Sequence, residues 1–208
     1  MIIDGNEYIE TIKRLMEMGN SVNVITYSLY GEIEGLFELF KKTNSKLIIS
    51  IPPYIPCNDG GCKDCFNNYI DKLESIFDIL DENEINAKVL IKVHAKMFYS
   101  KMEDGSYIYS LGSKNLYSSQ SLDLSFVNIS NKNDEDLKHL MNAFEVEWKR
   151  EQLMPFGKYM GEKISEIIKD DSYINSLYGI GLDKITTSSM PLFMFLALRN
   201  KNGEKLYL

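Results

Sequence analysis

The chain has 208 residues, of which 44% are hydrophobic and 25% charged, and its formal net charge at pH 7 is -7. This length supports one sizeable domain, or a medium domain with a small appendage, and the composition excludes a wholly disordered chain. No apolar run approaches the roughly 20 residues that cross a bilayer, so we expect no membrane-spanning segment. The acidic balance does not indicate a general nucleic-acid binder, although a local basic patch can coexist with it.

The N-terminus has no basic region followed by an apolar stretch, so it does not predict a secretory signal. The three cysteines of the chain, Cys57, Cys62 and Cys65, lie together in one glycine-containing loop. An odd number of cysteines argues against a disulfide framework and fits a reducing compartment. We therefore expect a cytoplasmic protein without membrane contact.

The same three thiols suit a structural zinc ion, but a closed tetrahedral site needs a fourth ligand. His139, Asp59, Asp64 or a partner chain could supply it. Three free thiols in a surface loop explain the pattern equally well. If zinc binds there, we expect it to hold the loop and to take no part in catalysis.

Hydrophobic periodicity predicts alternating helices and strands from the N-terminus onward. A helix over 6–18 precedes a strand over 21–29, and a helix over 32–42 precedes a buried strand over 46–52. This β-α-β order predicts a parallel pair of strands joined by a crossover helix. A further amphipathic helix is predicted over 66–80.

The next part of the chain predicts a three-stranded meander. Residues 87–100 have strand character throughout, Glu103-Asp104-Gly105 provides turn chemistry, and strands follow over 106–111 and 122–129. A helix over 136–151 then carries one apolar stripe, formed by Leu137, Leu140, Met141, Phe144 and Trp148. These elements predict an α/β protein with a mixed sheet, and the last helix closes a first domain over 1–150.

Residues 151–208 are interpreted as a small second domain. Glycines at 157 and 161 precede a predicted short helix and an aromatic-bearing segment. The final segment, 191–208, is predicted to form a hairpin with Asn202-Gly203 at its turn.

The stretch from Val93 to Asn115 holds the residues that suggest chemistry. His94 and Lys96 are two apart on a predicted strand, so the imidazole and the ammonium converge on one face. Gly112-Ser113-x-Asn115 ends the paired strand and brings a hydroxyl, a carboxamide and turn N–H groups to the same end of the sheet. Together these groups predict an anion site in which a phosphate meets a nucleophile, a cation and neutral donors without a metal.

This constellation resembles the phospholipase D superfamily, whose signature is H-x-K followed, after a spacer, by G-S-x-N. The resemblance covers about two thirds of the chain. It extends upstream to residues 23–42, which are similar to the first strand and helix of the family's small nucleases. Downstream, Asp123 stands where the family usually has an acidic residue. The sequence departs from the fuller family motif at Lys101, where that motif has Asp.

The resemblance implies a phospholipase D-like sheet flanked by helices and a metal-independent phosphodiesterase that needs no cofactor. In the family, one histidine attacks phosphorus to form a phosphohistidine, and a second protonates the leaving oxygen and then activates water. Because this chain has one such motif, the resemblance implies a homodimer with two copies of His94 at a shared cleft. Lys96 and Asn115 would bind the non-bridging oxygens. Ser113 would support the phosphate or the histidine, and Asp123 would orient the imidazole.

Several of these residues also admit plainer explanations. An isolated H-x-K pair most often reflects a histidine that packs at a strand end. His139 is explained as a partly exposed helix residue, and Glu145 and Glu147 as a solvated helix face, with a role in place of Asp123 as the alternative. The ten methionines and the tyrosine-rich strands are explained as core and sheet packing.

Residues 155–179, within the module over 151–208, resemble the small C-terminal domain of exodeoxyribonuclease X and related phage or bacterial proteins through the motif P-F-G-K-Y-x-G and the segment Asp171-x-Tyr173. The attachment of that domain to nucleases implies nucleic-acid contact through Lys158, Tyr159 and Lys163. We also expect Lys114, within the G-S-x-N segment, to contact nucleic acid. A mini-core built from the glycines and aromatics explains the C-terminal motif equally well.

The resemblance thus implies a DNA endonuclease that acts at a dimer interface. One alternative is the hydrolysis of a small phosphodiester such as a cyclic nucleotide, which the acidic net charge accommodates more easily. Another is a non-catalytic member of the same fold that binds nucleic acid, consistent with Lys101 in place of the usual Asp.

Overall fold

The structure is a computed structural model, and it describes residues 2–3, 10, 13–14, 16–26, 40–41, 45–51, 54–55, 63–91, 95–112, 125–179 and 189–208. The chain divides into two compact units, residues 1–51 with 83–150 and residues 52–82 with 151–208. The boundary after Arg150 coincides with the one expected from the sequence, whereas residues 52–82 group with the C-terminal part. A division into functional domains over 1–150 and 151–208 stays a prediction.

Within the described chain, one seven-stranded mixed sheet forms the centre of the first unit. Its strands are β1 (Ile2–Ile3), β2 (Gly19–Thr26), β3 (Lys46–Ile51), β4 (Ala87–Ile91), β5 (Met97–Met102), β6 (Tyr107–Gly112) and β7 (Ser125–Ser130). The strand order across the sheet is β1-β7-β6-β5-β2-β3-β4. β2, β3 and β4 are parallel, and the other neighbouring pairs are antiparallel.

The helices whose full bounds fall within the described residues are α1 (Lys63–Glu82), α2 (Glu135–Lys149), α3 (Ile164–Ile167), α4 (Asp171–Tyr178) and α5 (Met190–Lys201). Of the helix predicted over 6–18, the described residues 10, 13–14 and 16–18 are helical. Of the helix predicted over 32–42, Phe40 is helical and the residues before it lie outside the described part. Strands and helices together confirm the mixed α/β fold class.

The core of the first unit lies between α2 and one face of the sheet. Leu137, Leu140 and Phe144 are buried in a cluster with sheet residues such as Tyr99, whose ring meets that of Phe144 edge-on at a centroid distance of 5.5 Å. The helix begins at a cap where the Asp134 carboxylate accepts a hydrogen bond from the N–H of Leu137 at 3.0 Å. The burial of Leu137, Leu140 and Phe144 in this cluster confirms the apolar stripe predicted for the helix.

The single strand predicted over 87–100 is wrong, because the segment forms two strands with different partners. β4 ends at Ile91 and pairs with β3 at the outside of the sheet, whereas β5 begins at Met97 and pairs antiparallel with β2. Both halves are rich in β-branched and aromatic residues, so local propensity does not separate them. What separates them is the choice of neighbouring strand, which depends on distant parts of the chain.

The hairpin predicted over 191–208 is also wrong, because residues 190–201 form helix α5. Every residue from Met190 to Ala197 is buried, so the helix is apolar on all sides and lacks the one-sided pattern of a surface helix. Pro191 lies in its first turn, where proline is tolerated because its missing N–H would have no helical partner. In the core of the second unit, the Phe195 ring meets that of Phe77 in α1 edge-on at 5.1 Å.

A buried arginine ties the last residues of the chain to α1 within the second unit. The Arg199 side chain is 7% exposed, and its guanidinium pairs with Asp81 at 2.5 Å and with Glu204 at 3.0 Å. The Tyr207 hydroxyl donates to the other oxygen of Asp81 at 2.6 Å. These contacts provide the partners that a buried guanidinium requires.

Across the ranges given above, no helix combines the length and the apolar character needed to cross a membrane.

Candidate functional site

The ends of six strands meet along one edge of the sheet. The parallel strands β2, β3 and β4 all end there, β2 with Thr26. β5 is antiparallel to β2 and so begins there with Met97, β6 ends there with Gly112, and β7 begins there with Ser125. We name this the carboxyl edge. In open α/β sheets, ligands bind outside the carboxyl ends of the parallel strands.

The two halves of the H-x-K and G-S-x-N pattern meet at the carboxyl edge. Met97 faces Leu111 across the β5–β6 pair, and the N–H of Gly112 donates to the carbonyl of Lys96 at 3.4 Å. The pairing follows from the tight turn at Glu103-Asp104-Gly105, where Gly105 adopts a φ of 83°. Lys96 and Gly112, which are 16 residues apart in the chain, are thereby joined by a backbone hydrogen bond.

The remaining predicted site residues lie outside the described residues: His94, Ser113, Lys114, Asn115 and Asp123. In the chain, residues 92–94 precede Ala95 on the way into β5, and residues 113–124 connect β6 to β7. Both segments therefore join strand ends that lie at the carboxyl edge. The roles assigned to these five residues stay predictions.

Lys96 is buried, with an exposed fraction of 8%. Lysine is almost never fully buried unless it is paired, so the burial of Lys96 sets it apart from an ordinary surface lysine. Lys88 is equally buried but has a structural explanation. Its ammonium donates to the carbonyls of Trp148 and Arg150 at 2.8 and 2.6 Å, at the C-terminal end of α2, where the helix dipole favours a cation.

Ser110 is a buried polar residue that the sequence did not single out. It lies in β6 opposite Phe98, two residues before Gly112, and is fully buried. Within the described chain its hydroxyl has no hydrogen-bond partner. A small polar residue in the middle of the otherwise apolar and aromatic segment YIYSL is the signal that could have found it.

The two α2 carboxylates named as alternatives to Asp123 both form ion pairs. The Glu145 carboxylate pairs with the ammonium of Lys46 at 2.8 Å, and Lys46 begins β3, so the pair lies toward the opposite edge of the sheet. Glu147 pairs with Arg150 at 3.1 Å just beyond the helix. A role for either residue in place of Asp123 stays a prediction.

The predicted zinc site receives no support from the described residues. Cys65 is half-buried in the first turn of α1, and Cys57 and Cys62 lie outside the described part. No group of three or more His, Cys, Asp and Glu side chains that could hold a metal ion occurs among the residues described. His139, suggested as a fourth ligand, is exposed on α2.

The second candidate site is the loop between Leu153 and Lys163, which contains Gly157 and Gly161. Leu153 and Lys163 form an antiparallel bridge that closes the loop, and the ammonium of Lys163 pairs with Glu151 at 2.6 Å, which raises the pKa of Lys163. Gly157 has a φ of 72°, and a Cβ there would lie 2.7 Å from the hydroxyl oxygen of Tyr173. Glycine is therefore required at position 157 by both backbone conformation and space.

The aromatic residues of this loop make specific contacts with one another. The Tyr159 hydroxyl donates to the Asp170 carboxylate at 2.6 Å, and the Tyr159 and Tyr173 rings meet edge-on at 4.8 Å. The hydrogen bond from Tyr159 is the main cause that lowers the pKa of Asp170 to about 2. The ammonium of Lys158 lies 4.7 Å from the centroid of the Tyr159 ring. These contacts support the mini-core explanation, and nucleic-acid contact through Lys158, Tyr159 and Lys163 stays a prediction.

No protein-family model matches the chain, and a search of curated proteins finds no match either. Among solved structures, the chain is similar to Nuc from Salmonella typhimurium, a phospholipase D family member, with 11% identity over 71% of this chain and 92% of that chain and a TM-score of 0.48. It is similar to NucT from Helicobacter pylori, with 12% identity over 70% of this chain and 92% of that chain and a TM-score of 0.42.

A third similar structure is the yeast tyrosyl-DNA phosphodiesterase, with 13% identity over 93% of this chain and 42% of that chain and a TM-score of 0.36. At identities this low the likeness concerns the fold alone, and TM-scores below 0.5 carry no argument about activity. The resemblance of the C-terminal module to the C-terminal domain of exodeoxyribonuclease X stays a prediction.

Proposed function

We propose that the chain is a metal-independent phosphodiesterase that cleaves DNA endonucleolytically through a phosphohistidine formed on His94. The observation that carries this proposal is the hydrogen bond between the backbones of Gly112 and Lys96 at the carboxyl edge. It joins the segment that carries His94 and the buried residue Lys96 to the segment that carries Ser113 and Asn115. Such a combination suits a phosphate whose charge grows during nucleophilic attack.

In the proposed reaction the His94 imidazole attacks phosphorus, and the bond from phosphorus to the leaving oxygen breaks. The imidazole of a second copy donates the proton that the leaving oxygen needs. That imidazole then accepts a proton from water, whose oxygen attacks phosphorus and releases His94. Lys96 and Asn115 hold the non-bridging oxygens in both steps, so no metal ion is needed to neutralise them.

A homodimer is part of this proposal because the reaction uses two histidines and the chain contains one H-x-K pattern. Its other histidine, His139, is exposed on α2 and does not belong to the carboxyl edge by sequence or by element. A two-fold axis would bring two equivalent His94 side chains to one phosphodiester.

The activity is tested with purified full chain and supercoiled plasmid DNA in the presence of EDTA. We expect nicking that survives the chelator and that falls by at least about 100-fold in His94→Ala, because an essential nucleophile or proton donor is lost. His139→Ala is the matched control and should retain full activity. Cleavage that EDTA abolishes, or that persists unchanged in His94→Ala, would contradict the proposal.

The shared site is tested by co-expressing wild-type and His94→Ala chains in known ratios. If one phosphodiester requires both histidines, mixed dimers are inactive and the specific activity follows the square of the wild-type fraction. If the specific activity instead rose linearly with the wild-type fraction, each copy would work alone and the proposed shared site would be contradicted.

The net charge of -7 favours a second candidate, a phosphodiesterase for a small substrate such as a cyclic nucleotide, because a small ligand is repelled less than a polymer. The third candidate is a non-catalytic member of the same fold that binds nucleic acid. It would bind the plasmid and form no phosphohistidine, so a phosphohistidine detected after acid-free quenching would exclude it.

A further inference from the structure

A groove of about 500 Å³ opens on the first unit at the edge of the sheet opposite the carboxyl edge. It lies where β2 begins, where β5 gives way to the turn before β6, and where β7 ends. This volume is in the range of pockets that enclose one or more large side chains or a small ligand. Neither the sequence motifs nor the proposed function accounts for it.

The floor of the groove is apolar and partly open to solvent. Ile108 and Ile129 face each other directly across the β6–β7 pair, and Ile129 is 69% exposed. Met18, just before β2, is 59% exposed, and Met102 lies buried at the end of β5. Exposed apolar side chains gathered in a concave surface mark interaction sites, and methionine adapts its shape to different apolar partners. The methionines were expected to pack in the core, and Met18 does not, because it is exposed.

The rim of the groove is acidic. Glu17, Glu103 and Asp104 are exposed there, and within the described chain they are the charged residues that line it. The Asp104 carboxylate accepts hydrogen bonds from the N–H and the hydroxyl of Ser106 at 2.8 and 2.6 Å, which fix its position in the turn and lower its pKa. Lys101 does not neutralise this rim, because it alternates with Met102 along β5 and belongs to the other face of the sheet.

We propose that this groove is a docking site for a basic segment of a partner protein, with one large apolar side chain on the Met18–Ile129 floor and flanking Lys or Arg side chains against the Glu17, Glu103 and Asp104 rim. Charge complementarity selects this occupant. Nucleic acid and anionic lipid would meet three carboxylates, and a second copy of the chain docked through the same patch would place like charges face to face. The net charge of -7 adds a long-range attraction for a cationic segment.

The proposal is tested by titrating full chain, labelled with 13C at its methionine methyl groups, with the blocked peptide Lys-Arg-Leu-Arg-Lys. We expect saturable shifts of the Met18 and Met102 methyl signals, with Met18 assigned through Met18→Leu. The peptide Lys-Arg-Ser-Arg-Lys, which lacks the apolar anchor, and the peptide Glu-Asp-Leu-Asp-Glu, which reverses the charges, should each bind at least about tenfold more weakly.

Two variants and a matched control locate the binding surface. Glu103→Lys should weaken binding of Lys-Arg-Leu-Arg-Lys by at least about fivefold, and Ile129→Thr should weaken it with little change in salt dependence. Glu74→Lys makes the same charge change at an exposed position of α1, in the other unit, and should bind as wild type does.

Absence of saturable binding, or equal binding to Glu103→Lys and wild type, would overturn the proposal. Met18 shifts that depend on protein concentration without any peptide would overturn it in favour of a second copy of the chain. None of these readouts uses catalytic activity, so the result is independent of the proposed phosphodiesterase.

Discussion

Two fully buried serines on neighbouring strands, Ser100 and Ser110, differ in whether the hydroxyl has a partner. The Ser100 hydroxyl donates to the carbonyl of Ser21 at 2.8 Å, which ties β5 to β2 beyond the backbone ladder. The Ser110 hydroxyl has no partner within the described chain, so its desolvation is not offset by a hydrogen bond. A buried polar group without a partner costs free energy, whereas a satisfied one contributes a small net stabilisation.

Replacing each serine by alanine should therefore have opposite effects on the free energy of unfolding. We expect Ser100→Ala to lower it by about 1 kcal/mol and Ser110→Ala to leave it unchanged or raise it by up to about 1 kcal/mol. Urea unfolding followed through Trp148, the single tryptophan, reports on the first unit because its ring stacks on Phe144 in the core. A larger loss of stability for Ser110→Ala than for Ser100→Ala would show that the Ser110 hydroxyl has a partner after all.

At the level of elements, helix α5 ends in a glycine-dependent cap that the sequence suggested was a hairpin turn. Gly203 has a φ of 75°, its N–H donates to the carbonyl of Asn200, and the N–H of Glu204 donates to the carbonyl of Arg199. These two bonds are those of a Schellman motif, which satisfies carbonyls at the end of a helix. The same motif directs Glu204 to the guanidinium of Arg199.

Gly203→Ala should lower the free energy of unfolding by about 1 kcal/mol, because alanine is strained at this positive φ. Gly179→Ala is the matched control, since Gly179 also caps a helix of the second unit but has a φ of -73° and space for a methyl group. We expect Gly179→Ala to be neutral or slightly stabilising. Urea unfolding followed by circular dichroism at 222 nm compares the two variants, and equal effects would contradict the assigned role of Gly203.

The elements that the sequence predicted correctly are those whose signal is local. α1, α2 and the hairpin of β5 and β6 follow from one-sided periodicity and from turn residues close to the strands they join. The break between β4 and β5 could not be predicted, because it depends on which strand each half pairs with. Helix α5 could not be predicted as a helix, because burial on all sides removes the periodicity.

The same distinction applies to the candidate site. The H-x-K and G-S-x-N spacings were sufficient to predict that Lys96 and Gly112 meet at one end of the sheet. The burial of Lys96 and the unpartnered hydroxyl of Ser110 depend on the layers packed around the sheet, and sequence spacing carries no information about them.

For the molecule as a whole, the net charge of -7 constrains any interaction with DNA. A polyanionic substrate requires local cations that outweigh the general repulsion. In the second unit, Lys163 is already paired with Glu151, and Lys158 lies over the ring of Tyr159. The proposed DNA cleavage therefore relies on a few lysines and should be sensitive to screening.

The dependence of kcat/KM on salt separates cleavage of DNA from cleavage of a small phosphodiester. If Lys96, Lys114 and Lys158 contact phosphates, three contacts give a slope of about -2.7 in log(kcat/KM) against log salt, or about a 40-fold loss between about 50 and about 200 mM. The small substrate bis(4-nitrophenyl) phosphate releases few counterions, so its kcat/KM should change less than about twofold over the same range. Lys158→Gln should reduce the slope for plasmid DNA by about 1 and leave hydrolysis of the small substrate unchanged. A shallow slope for plasmid DNA, together with efficient hydrolysis of a cyclic nucleotide, would contradict the nuclease and identify the small phosphodiester as the substrate class.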